Sequence, residues 1–88
     1  MRNVSITIQN NSDAIPIIDA IVADNPDAEA HYYPAMVKID CPGRLVVNRD
    51  SIEERIGREF DLQELHLTLI SLAGNIDEDD DTFTLAWN

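Results

Sequence analysis

Apolar residues return at every second position near the start of the chain, where Val4, Ile6 and Ile8 alternate with Asn3, Ser5, Thr7 and Gln9. That period predicts a half-buried first strand, because successive side chains of a strand point to opposite faces. Asn10-Asn11-Ser12 breaks the alternation, and Asn11 or Ser12 is placed to cap a helix. The spacing then becomes helical, with Ala14, Ile17, Ile18, Ile21 and Val22 on one face. Pro16 fits only in the first turn of that helix, where amides have no intrahelical acceptor. Asp24-Asn25-Pro26-Asp27 ends it.

A second extended stretch is predicted from about Glu29 to Tyr33, with Pro34 at its edge, and Met36, Val37 and Ile39 make a third strand. Asp40-Cys41-Pro42-Gly43 has turn chemistry, so Leu45-Val46-Val47 is expected to return as the second arm of a hairpin. Ser51-Ile52-Glu53-Glu54 matches a capping box, which predicts a second helix with Ile52, Ile56 and Phe60 as its buried seam and Gly57 near its end. From Leu65 the chain reads as a long strand. Leu65, Leu67 and Leu69 lie on one face, and His66, Thr68, Ile70 and Leu72 on the other. A strand apolar on both faces is either central in a sheet or covered by something else. So short a chain has little with which to cover it, which brings in a partner protein. Gly74-Asn75 bends the strand, an acidic turn follows, and Phe83, Leu85 and Trp87 alternate along a closing strand. The order β-α-β-β-β-α-β-β predicts a single α+β domain over residues 1–88. It has two layers, with two main helices on mostly antiparallel strands.

Composition narrows the function. Eighty-eight residues allow one core, and 44 % hydrophobic with 26 % charged residues describes a folded chain rather than a disordered one. Seventeen acids against six bases give a formal charge of −11. Nucleic acids and anionic membranes are excluded as partners, since both are bound through Lys and Arg. Four of the six cations, Arg44, Arg49, Arg55 and Arg58, lie close together in the sequence and mark a candidate contact region. No apolar run approaches the roughly 20 residues that span a bilayer. No charged-then-apolar secretory pattern opens the chain, so a cytoplasmic protein is expected. Cys41 is the sole cysteine, which excludes an internal disulfide and a four-cysteine metal site.

Asp77, Asp79 and Asp81 fit the first ligand positions of a calcium loop, but Thr82 stands where glycine is needed and Asn88 where a bidentate glutamate belongs. A solvated turn is the expected reading. His31 and His66 are the only imidazoles and no Glu-x-x-His occurs, so a di-iron or zinc site is not expected, and His66 should be half-buried or hydrogen-bonded. Cys41 has no acid–base partner implied by spacing, and three glycines cannot build a phosphate-cradling loop. Tyr32 and Tyr33 could form a recognition patch, but the expectation is that they fill space between helix and sheet, and Trp87 is expected to anchor the closing strand in the core. The chain therefore reads as a binding or regulatory module with no catalytic residue, metal or cofactor of its own.

Several ordered motifs carry a resemblance. They are Ala23-Asp24-Asn25-Pro26, Tyr33-Pro34-Ala35 leading into Lys38-Ile39-Asp40, Gly43-Arg44-Leu45, Glu54-Arg55-Ile56-Gly57-Arg58-Glu59-Phe60-Asp61 and Ser71-Leu72-Ala73-Gly74. As a set covering nearly the whole chain, they resemble the small effector proteins of bacterial multicomponent di-iron monooxygenases, also called coupling or regulatory proteins, of the phenol hydroxylase type. The resemblance implies a cofactor-free protein that binds a large di-iron hydroxylase oligomer. There it modulates O₂ activation, substrate access and the coupling of NADH use to hydroxylation of an aromatic ring, and it competes functionally with the flavin/iron–sulfur reductase. It also implies that the segment after Gly-Arg-x-Phe lies against the hydroxylase. In this chain that segment supplies Thr68, Ile70, Ser71 and Leu72, followed by Ala73 and Gly74, with two aliphatics where related effectors carry small polar residues. Arg44, Arg55 and Arg58 are secondary candidates for polar contacts.

The alternative from another class is a small ligand-sensing domain that binds an amino acid or other metabolite between two strand–helix–strand units. Such a domain would need a glycine in the loop after the first strand, and Asn10-Asn11-Ser12-Asp13 has none.

Overall fold

The computed structural model describes residues 2–87. Strand β1 (Asn3–Gln9) is followed by helix α1 (Ile15–Asp24), then by β2 (Glu29–Tyr32), β3 (Met36–Pro42) and β4 (Arg44–Asn48). Helix α2 (Arg49–Ile56) leads through a 3₁₀ turn (Leu62–Glu64) into a one-turn helix α3 (Leu65–Thr68), and β5 (Leu69–Ala73), β6 (Asn75–Glu78) and β7 (Thr82–Ala86) close the chain. Two antiparallel sheets result, ordered β2-β3-β1-β5 and β4-β7-β6. The α+β class and the order of elements agree with the sequence reading, with one strand added because Asn75–Glu78, read as part of an acidic turn, pairs with β7.

One apolar core joins the layers. The inner rows of the first sheet (Val4, Ile6, Ile8, Val37, Ile39, Cys41) and of the second (Leu45, Val47, Phe83, Leu85) meet Ile17, Ile18 and Ile21 of α1 and Ile52 of α2. Burial of each such aliphatic side chain is worth about 1.5–3 kcal/mol. Asn11 fastens the start of α1, its side-chain oxygen accepting from the Ala14 amide at 2.9 Å. Asn25 closes the other end. Its Nδ2 donates to the carbonyls of Ile21 (2.7 Å) and Val46 (2.8 Å), and its Oδ1 accepts from the Val46 amide (2.9 Å), so one side chain stitches α1 to the free edge of β4.

Four local expectations are corrected. First, β3 and β4 do not form a hairpin. Cys41 and Pro42 remain in the ladder with β1, and the turn shrinks to Gly43, whose φ of 76° sends the chain into the other sheet. The reason is that β1 and β2 already occupy both edges of β3. Second, α2 begins at Arg49, with Asn48 at its N-cap and no side-chain cap, because the helix starts where β4 stops pairing with β7. Ser51 lies inside the first turn, and the capping box forms instead at Asp61 and Glu64. Third, the long strand is divided: Leu65–Thr68 is helical and only Leu69–Ala73 is extended. The Asp61–Glu64 box nucleates a turn that runs on into α3, and β1 pairs with β5 only as far as Leu69, so earlier residues have no ladder to join. Fourth, Tyr32 and Tyr33 are 58 % and 46 % exposed, not packed between helix and sheet. Sitting at the end of an edge strand, they have no helix over them.

Trp87 secures the closing strand from the rim of the core. Its indole N–H donates to the Asn3 carbonyl at 2.8 Å, and the Arg2 guanidinium stacks 4.0 Å from the ring centre. Among the described residues, no helix is long and apolar enough to cross a membrane.

Candidate functional site

The residues singled out in the sequence fall along one edge of the molecule. β5 is the edge strand of the first sheet, so one of its sides is free of backbone partners. Leu69 stands opposite Ile8 and Leu72 opposite Ile6, which turns both toward the core. Ser71 stands opposite Thr7 and Ala73 opposite Ser5, on the outer face, where small side chains leave the sheet shallow. Between Leu69 and Ser71 the register slips by one residue, and Ile70, at that bulge, is 50 % exposed. A bulge of this kind re-aims a side chain and stops further pairing at the edge.

Thr68 and Gly74 bound the strand. The Thr68 hydroxyl donates to the Leu65 carbonyl at 3.0 Å and closes α3, just before the chain becomes extended. Gly74 has a φ of 141°, and a Cβ there would lie 3.1 Å from Val4 Cγ1, so only glycine lets the chain leave β5 for β6 at this point.

The arginines separate into two places. Arg55 and Arg58 border a cleft of about 600 Å³ between the start of α1, the end of α2 and α3, floored by Pro16, Ile17, Ile56 and Phe60 and bordered also by Leu67 and Thr68. Arg58 Nη2 lies 3.3 Å from Glu64, while Arg55 donates only to the Ser51 carbonyl at 3.1 Å. The Asp61 amide first, and the Arg58 guanidinium second, hold the Glu64 carboxyl below its ordinary range. Arg44 is exposed on β4, level across the second sheet with Ala86 and Asn75, and therefore beside the Gly74 end of β5. Arg49 is used internally. It binds Asp81 at 2.8 Å and the Asp80 carbonyl at 3.2 Å, tying α2 to the β6–β7 turn.

The remaining candidates have structural employment. Asp79 Oδ1 accepts from the Thr82 and Asp81 amides at 2.7 and 2.8 Å, so this carboxylate organises a turn. Asn88, the twelfth position of the calcium-loop comparison, lies outside the described residues. His66 Nε2 sits 3.2 Å from Glu78 and its ring meets Phe83 edge-on, which links α3 to β6. Cys41 is buried, and burial, followed by Asp27, pushes its thiol above the ordinary value, the opposite of what a nucleophile needs. Among the described residues, no group of three or more His, Cys, Asp or Glu side chains is arranged to hold a metal.

An exposed edge with a shaped cleft, and reactive groups turned to structural use, describe a surface for recognition. Residues 2–86 match the family profile described as the MmoB/DmpM family. The chain belongs to that family. Among its curated relatives is the phenol 2-monooxygenase stimulatory component DmpM of Pseudomonas sp. (strain CF600), 43 % identical over 84 residues that span 96 % of this chain and 93 % of the relative. The effector subunit of the alkene monooxygenase system of Xanthobacter autotrophicus is 33 % identical over 66 residues, or 73 % of this chain and 65 % of that one. A chain in a solved phenol hydroxylase–regulatory protein complex superposes with a TM-score of 0.95 at 48 % identity, covering 99 % of this chain and all of that one. The soluble methane monooxygenase regulatory protein B, 20 % identical with a TM-score of 0.77, shares the fold; the match covers 98 % of this chain and 65 % of that one. These relatives are named as stimulatory, effector or regulatory components, not catalytic subunits. Family membership also decides against the metabolite-sensing alternative.

Two features escaped the sequence reading. The Tyr32–Tyr33 exposure had a signal in the adjoining Pro34, which marks an edge. The cleft had a partial signal in Arg55, Arg58 and Thr68, but its other wall comes from the start of α1, about 40 residues away in sequence.

Proposed function

We propose that this chain is the regulatory component of a phenol-hydroxylase-type multicomponent monooxygenase. It docks on the di-iron hydroxylase through the outer face and free edge of β5. The observation that carries the reading is near-identity of fold, over its full length and at 48 % identity, with a chain solved in a phenol hydroxylase–regulatory protein complex. The exposed Ile70 beside Ser71 and Ala73 supports β5 as the strip that meets the hydroxylase. Thr68, Arg55 and Arg58 extend that strip at one end, and Gly74 and Arg44 at the other. Leu72 packs inward, so its part is to hold the strand in place.

The mechanism follows from the stimulatory, effector or regulatory role that the relatives are named for. A protein that contributes no chemistry alters turnover only by binding one hydroxylase conformation more tightly than another. A tenfold change in the population that activates O₂ or admits substrate needs about 1.4 kcal/mol of differential binding, which a standard interface supplies readily. Coupling improves when the competent conformation outlasts reductant delivery, and sharing the hydroxylase surface with the reductase makes the two proteins competitors.

The test is reconstitution of phenol hydroxylation from purified hydroxylase and reductase, following NADH and product. Addition of this chain should raise both rate and product formed per NADH. Ile70→Asp and Ser71→Arg should each abolish the effect while leaving the circular dichroism unchanged. Equal rate and coupling with and without this chain would reject the reading.

A further inference from the structure

Five of the six large apolar side chains exposed among the described residues gather at one end of the first sheet: Tyr32, Tyr33, Met36, Leu67 and Ile70. The register puts them there. Tyr32, Val37, Ile8 and Leu69 form one row across the four strands, and Met36 stands opposite Gln9 at the same end. At about 4.8 Å per strand, the tyrosines sit roughly 14 Å from the start of β5. The β2–β3 turn that carries them is fastened down. Tyr33 N–H donates to the Met36 carbonyl at 2.8 Å, Asn10 N–H to the Ala35 carbonyl at 3.1 Å, and Asn10 Nδ2 to the Tyr33 carbonyl at 2.8 Å. An aromatic pair held this way presents its surface with little ordering left to lose on binding. Leu67, 77 % exposed, borders the cleft that contains Arg55 and Arg58.

Charge sets this end apart. The chain has 17 acids and six bases, yet only Asp13 and Glu64 line the cleft opposite the two arginines. Glu64 is already bonded to the Asp61 amide and to Arg58, whereas Arg55 has no carboxylate within ion-pair distance among the described residues. Exposed apolar side chains gathered at one end of the sheet, with an uncommitted cation at the cleft there, fit a partner face that is apolar and bears a carboxylate.

We infer that the Tyr32–Tyr33–Met36 turn is a second anchor of the docking surface that begins at β5 and the adjoining Arg55 cleft, and that the occupant is an apolar, carboxylate-bearing face of the hydroxylase. This rests on the reading of the chain as a hydroxylase regulator. The surface runs from β5 across the end of the sheet, so contact is anchored at two points about 14 Å apart rather than along one strand. Tyrosine at such a position is a typical carrier of binding energy.

Binding of full-length variants to purified hydroxylase, followed by calorimetry, tests the inference. Y32A/Y33A and R55E should each raise Kd by about tenfold or more, while D77A, on β6, leaves it unchanged. Hydrogen exchange on the wild-type complex reads the same surface without any substitution, and the amides of Tyr32, Tyr33, Ala35 and Met36 should gain protection. If Y32A/Y33A binds like wild type, or if the amides of Tyr32, Tyr33, Ala35 and Met36 exchange equally in free and bound protein, the second anchor is refuted and docking is confined to β5 and the Arg55 cleft. If the tyrosines prove to hold two copies of this chain together, so that Y32A/Y33A abolishes a dimer seen by sedimentation without weakening hydroxylase binding, the assigned occupant is wrong. A wild-type chain that does not bind hydroxylase at all overturns the regulatory reading itself, and this inference with it.

Discussion

Replacing Asn25 by alanine is the most searching test of how this fold is held together. Asn25 is 8 % exposed and makes three short hydrogen bonds, two of them to the amide and carbonyl of Val46. β4 has β7 on one side only, so Asn25 serves the other side as a substitute strand. The substitution removes three bonds worth about 1 kcal/mol each and leaves Val46 with an unpaired donor and acceptor, at a further cost on the order of 1 kcal/mol where water enters incompletely. A loss of about 3–4 kcal/mol is expected, a large share of the 5–15 kcal/mol typical of a domain. For a chain of this size that lowers the melting temperature by roughly 12–30 °C. Urea unfolding followed by Trp87 fluorescence measures it. Asn25→Asp should be worse at neutral pH, since it loses both donor bonds and sets a carboxylate against two carbonyl oxygens. Acidification should recover part of the loss, because a protonated carboxyl donates once. If Asn25→Ala costs less than about 1 kcal/mol with an unchanged denaturant slope, α1 and β4 are not joined as described.

Three more outcomes are expected. Gly74→Ala, which meets both a positive φ and Val4 Cγ1 at 3.1 Å, should cost about 1–3 kcal/mol in denaturant unfolding, and a neutral result would mean the β5–β6 corner is looser than its geometry. The Thr82 and Asp81 amides hold the Asp79 carboxyl below its ordinary value of 3.8. Its contribution is therefore complete above that value and lost as pH falls through the lowered one, so Asp79→Asn should lower stability at pH 7 and flatten the acid limb of the stability–pH curve. Cys41, raised above 9.0 by burial, should react with a disulfide reagent at pH 8 on the order of tenfold or more slowly in the native protein than in urea, and equal rates would show that the strand end opens freely.

Much of the fold is legible in the residues. Val4, Ile6 and Ile8 announce β1, and the Ile17–Ile18–Ile21 face together with Pro16 positions α1 within two residues of where it begins. Gly57 ends α2 with a φ of 73°, as its position suggested. The failures share one cause. The alternation from Leu65 to Leu72 is equally compatible with a one-turn helix followed by a short strand, and the available partner decides between them: β1 offers a ladder to Leu69 but not before it. Likewise Asp40-Cys41-Pro42-Gly43 contains turn residues, yet three of the four stay in β3 because β1 runs alongside to Asn3. The Ser51–Glu54 pattern lost to Asn48 for the same reason, since β4 releases the chain one turn earlier.

The candidate site divides along the same line. The ordered motifs drew attention to the segment from Thr68 to Gly74, and the structure puts most of it on β5, an edge strand. That the relatives are stimulatory, effector or regulatory components comes from the comparisons, not from a count of residue types. What the sequence left open is which side chains face outward. Leu72 and Ile70 are both aliphatic and two residues apart, so a regular strand would put them on one face; a single-residue slip in register against β1 turns one into the core and the other toward solvent. Tyr32 and Tyr33 are aromatic and would be at home in a core, but their place on an edge strand leaves them uncovered. Local pattern fixes period and punctuation because those depend on neighbours along the chain, whereas exposure depends on which elements lie alongside, and only the assembled sheets decide that.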